Sequence, residues 1–449
     1  MNNQFKNKKI AIVGLGIEGL SSAKFFIEKR AEVTILDKKE KTELNLDTPF
    51  VFGKNYLDNL DCFDVIVRSP GVKVDLPNLQ KAKEKGTVIT SQIKLFFDLC
   101  PCKIIGVTGT KGKGTTASLI YEMFKKQTRN AYLGGNIGLP PLDFLDKLNS
   151  HSIVVLELSS FQLQDLKKSP HIAVILMTLS EHLDYHKDVE EYVSAKRNIV
   201  KFQKTSDFAI LNIDYPASRE SDIHTQGKVF YISREGEVGE GCFVKKGEIK
   251  LKIKNEELKI IDTKEILLPG EHNFENVCAA VMAVALCNVS KENIIKVLKT
   301  FKGLEHRLEL VGEVGGVKYY DDSFSTTPET AIAAILAFKN PEILILGGSS
   351  KNSDFSELGK VISNAKNIKA IIGIGLEWKR IKSTIRHTLY AIRYIEGLKN
   401  MHSIIQKASE IAEVGDIVLL SPACASFDMF KNYKDRGRQF REEVENLKK

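Results

Sequence analysis

The segment GVTGTKGKGTT, residues 106–116, stands between a short apolar run, KIIGV (103–107), and a helical pattern, ASLIYEMFKK (117–126). A strand, a glycine-rich turn and a helix in that order make a cradle for phosphate. Small residues let the backbone wrap an anion, the N–H groups of the turn point inward, and the helix offers its positive end. Lys113 is placed to reach β- and γ-phosphate oxygens, and a hydroxyl just beyond it can meet Mg²⁺. Gly114 stands where the strict pattern has Ser or Thr, so Thr115 is assigned the metal-facing hydroxyl, with Thr116 behind it. A bare glycine turn would have no use for the lysine and the hydroxyl pair. The segment reads as a nucleoside triphosphate site in an α/β domain.

Upstream, KIAIV (9–13) leads into GLGIEG (14–19), a helical pattern through 21–29 and a second strand, 32–36, ending at Asp37. That βαβ opening with a G-x-G-x-x-G turn is a nucleotide-binding arrangement, and alone it would suggest a dinucleotide. Another strand, 65–68, runs into the turn Ser69-Pro70-Gly71, and Cys100-Pro101-Cys102 reads as a linker closing this first unit. Downstream, SIVVLEL (152–158) and IAVILM (172–177) alternate with helical segments. Glu157 falls at the end of the first of these, where α/β enzymes place catalytic groups, and a carboxylate there can ligate Mg²⁺. In SEHLDYH (180–186) two histidines and two carboxylates cluster, but a strand-to-loop setting does not put His182 and His186 on one helical face as a zinc pair requires. Residues 227–268 hold short polar-alternating strands, which suggest a small antiparallel insertion. A third unit begins near Gly303, with strands at 317–320, 343–346, 370–374 and 417–420 alternating with helical stretches.

The chain has 449 residues, too many for one core, and about three domains are expected. The expected fold is α/β in three domains. A Rossmann-like domain spans 1–100, a central P-loop-type mononucleotide-binding domain with the antiparallel insertion spans 101–302, and a C-terminal Rossmann-like domain spans 303–449. The formal charge of +8 is spread along the chain, without a compact basic run interleaved with aromatics, so nucleic acid is excluded as partner and anionic small molecules are favoured. Seven cysteines, none in a CxxC pair, point to a reducing compartment rather than a disulfide framework. The basic, partly apolar N-terminus is broken by Gly14, Gly16, Glu18 and Gly19. No stretch reaches the roughly 18 apolar residues that span a bilayer. A cytoplasmic monomer is expected.

Taken together in order, these segments resemble the Mur ligase family over essentially the whole chain. The pieces that carry the resemblance are GLGIEG, SPG (69–71), GTKGKGTT, GGNIG (134–138), ELSSFQL (157–163), EHLDYH with a downstream AK (195–196), GEHNFEN (270–276), HR (306–307), DDSFSTTPE (321–329), LGGSSKNSDF (346–355) and SPACASFDMFKNYKDRGRQF (421–440). Within the family it is most similar to the glutamate-adding branch. The resemblance implies an ATP-dependent ligase that joins D-glutamate to UDP-N-acetylmuramoyl-L-alanine through an acyl phosphate, with ATP and Mg²⁺ (two ions) as cofactors. It implies that Gly109, Thr110, Lys111, Gly112, Lys113, Gly114, Thr115, Thr116, His272, Asn273, Asn276, Arg307 and Asp322 contact ATP. Thr115, Glu157, His182 and Lys196, the last as a carbamate, would hold the metal, and Lys113, Glu157, His182 and Lys196 would be catalytic. Ile17, Glu18, Asp37, Lys38, Gly71 and Asn136 would hold the UDP-precursor, so the first unit is a UDP site rather than a dinucleotide site. Thr326, Lys351, Ser426, Phe427 and Tyr433 would grip the glutamate. The sequence departs from the family in four places: Gly114 for a common Ser, Met177 for Asn, Glu181 for Asp and Phe324 for Lys. The alternatives are a sister ligase with another amino acid or L-glutamate as acceptor, and an NAD-dependent oxidoreductase. The second would leave residues 109–116 and the third unit without purpose.

Overall fold

The computed structural model of the chain describes residues 4–40, 46–128, 130–179, 181, 185–349, 353–386 and 391–448. Three sheets organise it. The first has strands β1 (Lys9–Val13), β2 (Glu32–Asp37), β3 (Phe50–Phe52), β4 (Val65–Arg68) and β5 (Val88–Thr90), all parallel, in the order β3-β2-β1-β4-β5. The chain leaves β1 towards one side and returns to β4 on the other. A crevice therefore opens at the carboxyl ends of β1 and β4, the place where doubly wound sheets bind ligands.

The second sheet has nine strands in the order β14-β13-β12-β11-β10-β9-β6-β8-β7. They are β6 (Lys103–Thr108), β7 (Ala131–Gly135), β8 (Ile153–Glu157), β9 (Ile172–Ile175), β10 (Phe208–Asn212), β11 (Lys228–Ser233), β12 (Gly241–Lys245), β13 (Glu248–Ile253) and β14 (Glu256–Asp262). The expected antiparallel insertion is only partly separate. β11 and β12 extend the parallel sheet, and antiparallel pairing begins at β12–β13 and continues to β14. The alternating polar pattern there reflects a solvated sheet edge rather than a free-standing hairpin. β6 lies inside the sheet, between β9 and β8, so its following loop emerges at the middle of the carboxyl edge.

The third sheet, in the order β15-β16-β20-β17-β18-β19, comprises β15 (Glu309–Val314), β16 (Val317–Asp321), β17 (Glu342–Gly347), β18 (Ile368–Ile374), β19 (Arg393–Ile395) and β20 (Ile417–Leu420). It is parallel except for the β15–β16 hairpin. Its central strands are predominantly apolar because both faces are covered. Ile343 and Ile345 join one core, Leu344 and Leu346 the other, as the two-residue period of a strand dictates. The chain forms two compact units, 1–265 with 274–299, and 266–273 with 300–449. No described helix is long and apolar enough to cross a membrane.

The amino end of β17 carries an unusual group. Glu342 is fully buried; Asn367 donates to its Oε1 at 2.9 Å, and its Oε2 has no hydrogen-bond partner among the described residues. Burial pushes its pKa up to about 9. The folded chain therefore keeps this proton while the unfolded chain loses it near pH 4.5, and stability falls as pH rises through that window. Replacing Glu342 with Gln should raise the urea midpoint at pH 8 by the equivalent of about 1–3 kcal/mol and change it little at pH 4. Equal midpoints at pH 8 would show that the carboxylate ionises there without cost.

Candidate active site

The loop after β6 is shaped by backbone contacts before any side chain acts. Thr110 donates its N–H to Met177 O at 2.6 Å and its hydroxyl to Leu179 O at 3.1 Å, and its Oγ1 lies 3.0 Å from Tyr192 Oη. Residue 177 contributes its carbonyl to this bond. Gly112 adopts a left-handed conformation (φ 83°) just before the helix Lys113–Gln127, and a Cβ on it would lie 2.1 Å from Asn276 Oδ1. Only glycine permits both the turn and that approach. Asn276 also accepts the Thr116 hydroxyl at 3.2 Å, so the helix Asn273–Ala285 buttresses the loop. Lys113 donates to Thr110 O at 3.0 Å, and Lys111 pairs with Glu181 at 2.9 Å. Gly109, Gly114 and Thr115 complete the loop and first helical turn.

Glu157 ends β8 buried, with Asn136 donating to its Oε1 at 3.1 Å. Lys196, on the helix Val189–Lys201, is 2% exposed; its Nζ donates to Gly109 O at 2.8 Å and lies 4.6 Å from the centre of the Tyr192 ring. Burial first, and the charge of Lys113 second, hold its pKa well below the usual lysine value, against the pull of Glu181 and Glu157. The structure therefore brings Lys113, Glu157 and Lys196 into one electrostatic neighbourhood. His182 lies outside the described residues. His186 is buried, its Nε2 2.9 Å from Ser160 Oγ and its ring stacked on Phe161, a packing role.

A second cavity, of about 490 Å³, opens at the crevice between β1 and β4. Ile17, Glu18, Asp37, Gly71 and Asn136 line it; Lys38 is exposed beside it, and Lys39 is among the lining residues. Asp37 accepts the N–H groups of Leu15 at 2.6 Å and Lys39 at 2.8 Å, which ties the glycine loop to the end of β2. Gly19 lets the helix Ile17–Glu28 close on that loop, since a Cβ there would meet Gly14 O at 2.1 Å. Glu18 is raised to about 7 by burial, opposed by the hydrogen bond from Gln162 Nε2 at 2.6 Å and by the charge of Arg68.

Three positioning residues were not singled out by the sequence reading, although Gln162 and Arg436 lie within motifs it quoted. Gln162 links the first nucleotide loop to ELSSFQL. Arg68 is buried and donates to Ser69 O, Pro70 O and Val72 O at 3.3, 3.2 and 2.6 Å, holding the SPG turn, while pairing with Asp165 at 3.1 Å. Arg436 does the same in the second unit. It donates to Ser323 Oγ and Ser323 O, both at 2.9 Å, and to Cys424 O at 3.2 Å, clamping residues 321–327 to 421–433.

Within that second unit, Asp322 is buried and accepts from Ser325, from Ser421 at 2.7 Å and from Leu308 N at 3.2 Å; burial raises it to about 7. Those partners make it a loop organiser as well as an expected ATP contact. Arg307 lies 3.9 Å from the centre of the Phe324 ring, which meets Tyr433 edge-on at 5.1 Å. Phe324, the departure from Lys, thus seats a cation on its face instead of supplying one. His272 and Asn273 meet at 3.3 Å. Thr326 is half-buried and Ser426 buried, and Phe427 is exposed with its N–H on Ser349 Oγ at 3.1 Å. Lys351 lies outside the described residues.

Three family models match in succession: the Mur ligase MurD-like N-terminal domain over residues 8–91, the Mur ligase middle domain over 107–284, and the Mur ligase glutamate ligase domain over 306–424. The UDP-N-acetylmuramoylalanine--D-glutamate ligase of Acetivibrio thermocellus is 40% identical over 457 residues, covering 99% of this chain and 97% of the relative. That of Clostridium novyi is 38% identical over 462 residues, covering 99% of each. Among solved structures, UDP-N-acetylmuramate-alanine ligase MurC from Thermotoga maritima superposes with a TM-score of 0.59 at 17% identity, covering 98% of this chain and 99% of that one. MurF ligase from Thermotoga maritima in complex with ADP gives 0.57 at 18% identity, covering 99% and 96%. At such identities these two share the fold.

Proposed function

The chain belongs to the Mur ligases, ATP-dependent enzymes that form amide bonds, and from that premise we propose that it adds D-glutamate to UDP-N-acetylmuramoyl-L-alanine in peptidoglycan precursor synthesis. A free carboxylate resists attack because its charge repels a nucleophile and oxide is a poor leaving group. Transfer of the γ-phosphoryl group of ATP to the precursor's terminal carboxylate removes both faults. The glutamate amine then attacks the acyl phosphate, a tetrahedral intermediate forms, and phosphate leaves as the amide appears. The protein's task is to position anions and offset their charge.

In this reading residues 109–116 wrap the ATP phosphates, Lys113 neutralises the γ-phosphoryl oxygens, and Asn276 keeps the loop open. Glu157, the Thr115 hydroxyl, His182 and a carbamate on Lys196 would hold Mg²⁺. The carboxylate, hydroxyl and carbamate offer oxygen ligands, which suit that hard cation. Mg²⁺, two ions in this reading, supplies charge neutralisation for the transferred group. Residues 1–100 hold the UDP-precursor in the cavity at Ile17, Glu18, Asp37, Gly71 and Asn136. Residues 101–302 hold ATP, and 303–449 hold glutamate through Thr326, Lys351, Ser426, Phe427 and Tyr433, with His272, Asn273, Arg307 and Asp322 contributing to ATP. The enzyme works as a cytoplasmic monomer.

The observation that carries this reading is Asn136. It lines the cavity assigned to the precursor and donates to Glu157 at 3.1 Å beside the phosphate loop, so one side chain joins the two subsites. The test is ADP release from ATP, Mg²⁺ and UDP-N-acetylmuramoyl-L-alanine with D-glutamate, L-glutamate or no amino acid. Release should depend on D-glutamate. Dependence on L-glutamate would overturn the acceptor assignment, and silence with both would point to a sister ligase.

A further inference from the structure

A cavity of about 670 Å³ opens at the amino ends of β6, β9 and β10, the opposite edge of the central sheet from the phosphate loop. Its wall includes Cys100 and Cys102, on either side of Pro101 between the helix Gln92–Leu99 and β6. Both thiols are half-buried, and their sulfurs stand 3.5 Å apart. At that separation the sulfurs are in van der Waals contact. Most of the charged residues in the wall are basic. Lys168 is engaged with Asp98 and His171 with Asp207, which leaves Lys103, Lys167 and Lys204 as the other lining charges. Among the seven cysteines, Cys242, Cys278 and Cys424 are buried, and Cys62 is exposed.

We propose that this cavity is a redox-modification site in which Cys100 and Cys102 exchange with an anionic low-molecular-weight disulfide and close to a disulfide of their own. The Cys100 thiolate attacks one sulfur of the reagent. A mixed disulfide forms on Cys100, the reagent's S–S bond breaks, and one thiolate leaves. Cys102 gives up its proton and attacks Cys100 Sγ, which forms the Cys100–Cys102 bond and expels the second thiolate. Two protein thiols are oxidised, one reagent disulfide is reduced to two thiols, and the two protons pass to the departing thiolates.

Two features assign these roles. Either thiol can donate across the 3.5 Å contact, and donation from Cys102, which lowers Cys100 and raises Cys102, makes Cys100 the first nucleophile of the proposal. The lysines attract an anionic reagent and discriminate against a cationic one. The linker then gains a covalent bridge across a single residue, at the start of the strand that carries the phosphate loop.

The test uses the full chain, reduced and then freed of reductant, exposed separately to glutathione disulfide (anionic) and cystamine (cationic) at low salt. Intact mass should show loss of two hydrogens with both, mapping to Cys100–Cys102 and reversed by dithiothreitol, with glutathione disulfide roughly tenfold faster than cystamine relative to the exposed reference Cys62. Cys102→Ser should stop at a glutathione adduct on Cys100. Lys167→Glu with Lys204→Glu should remove the preference for the anionic reagent. Full alkylation of Cys100 and Cys102 after the incubation, or an intramolecular bridge at other positions, would overturn the site. Equal normalised rates for the two reagents would overturn the anionic specificity. The wild-type chain alone decides both points if a variant fails to fold.

Discussion

Replacing Lys113 with Ala should lower ADP release by about a thousandfold while leaving affinity for the UDP-precursor within about twofold, because charge-directed donors act on the transferred group and not on remote binding. The lysine stands in the first turn of the helix Lys113–Gln127, its ammonium turned onto Thr110 O at 3.0 Å, beside the loop that would hold the phosphates. None of the atoms lining the cavity at Ile17, Glu18 and Asp37 belongs to it. Precursor binding by calorimetry and ADP release by a coupled assay separate the two effects. A parallel loss of both would mean that the two subsites are not divided as proposed.

Replacing Lys196 with Ala should cost about a hundredfold to a thousandfold in turnover, comparable to removing a group that orients transferred charge. Lys196 is 2% exposed, its Nζ donates to Gly109 O, and the charge of Lys113 opposes its ammonium form. A permanent cation in that place would oppose the Mg²⁺ proposed for this site, whereas a carbamate would offer it two oxygens. Bicarbonate should therefore not restore Lys196→Ala, and short carboxylic acids should restore part of the loss by occupying the vacated volume. Unimpaired turnover of the variant would remove the carbamate from the mechanism. So would full activity of the wild-type enzyme in rigorously CO₂-free buffer.

Much of the fold was legible because its signals are contiguous. KIAIV-GLGIEG and KIIGV-TGTKGKGTT each hold strand, turn and helix within about twenty residues, and the sheet cores follow from apolar runs such as EILILG. Weaker elements escaped that reading. β15 lies at a sheet edge, β19 has three residues, and β11 and β12, read as part of an antiparallel insertion, pair with each other and with β10 in parallel. A short edge strand offers too few buried positions for the two-residue period to stand out.

The sequence by itself pointed to the phosphate loop, Glu157 and the glycine turn at 14–19 through local pattern, and to Lys196 only through the family resemblance. Tertiary structure alone decided how they are held. Gln162 reaches Glu18 across 144 positions, Thr116 reaches Asn276 across 160, and Arg436 reaches Ser323 across 113. It also turned Lys38 outward and Lys39 into the cavity, and set the Cys100 and Cys102 sulfurs 3.5 Å apart. The reason is physical. A turn's conformation is set by the steric preferences of the few residues within it, whereas a buried polar group must find whichever partner the packed chain brings within hydrogen-bonding reach, and that depends on every strand order and helix seat at once.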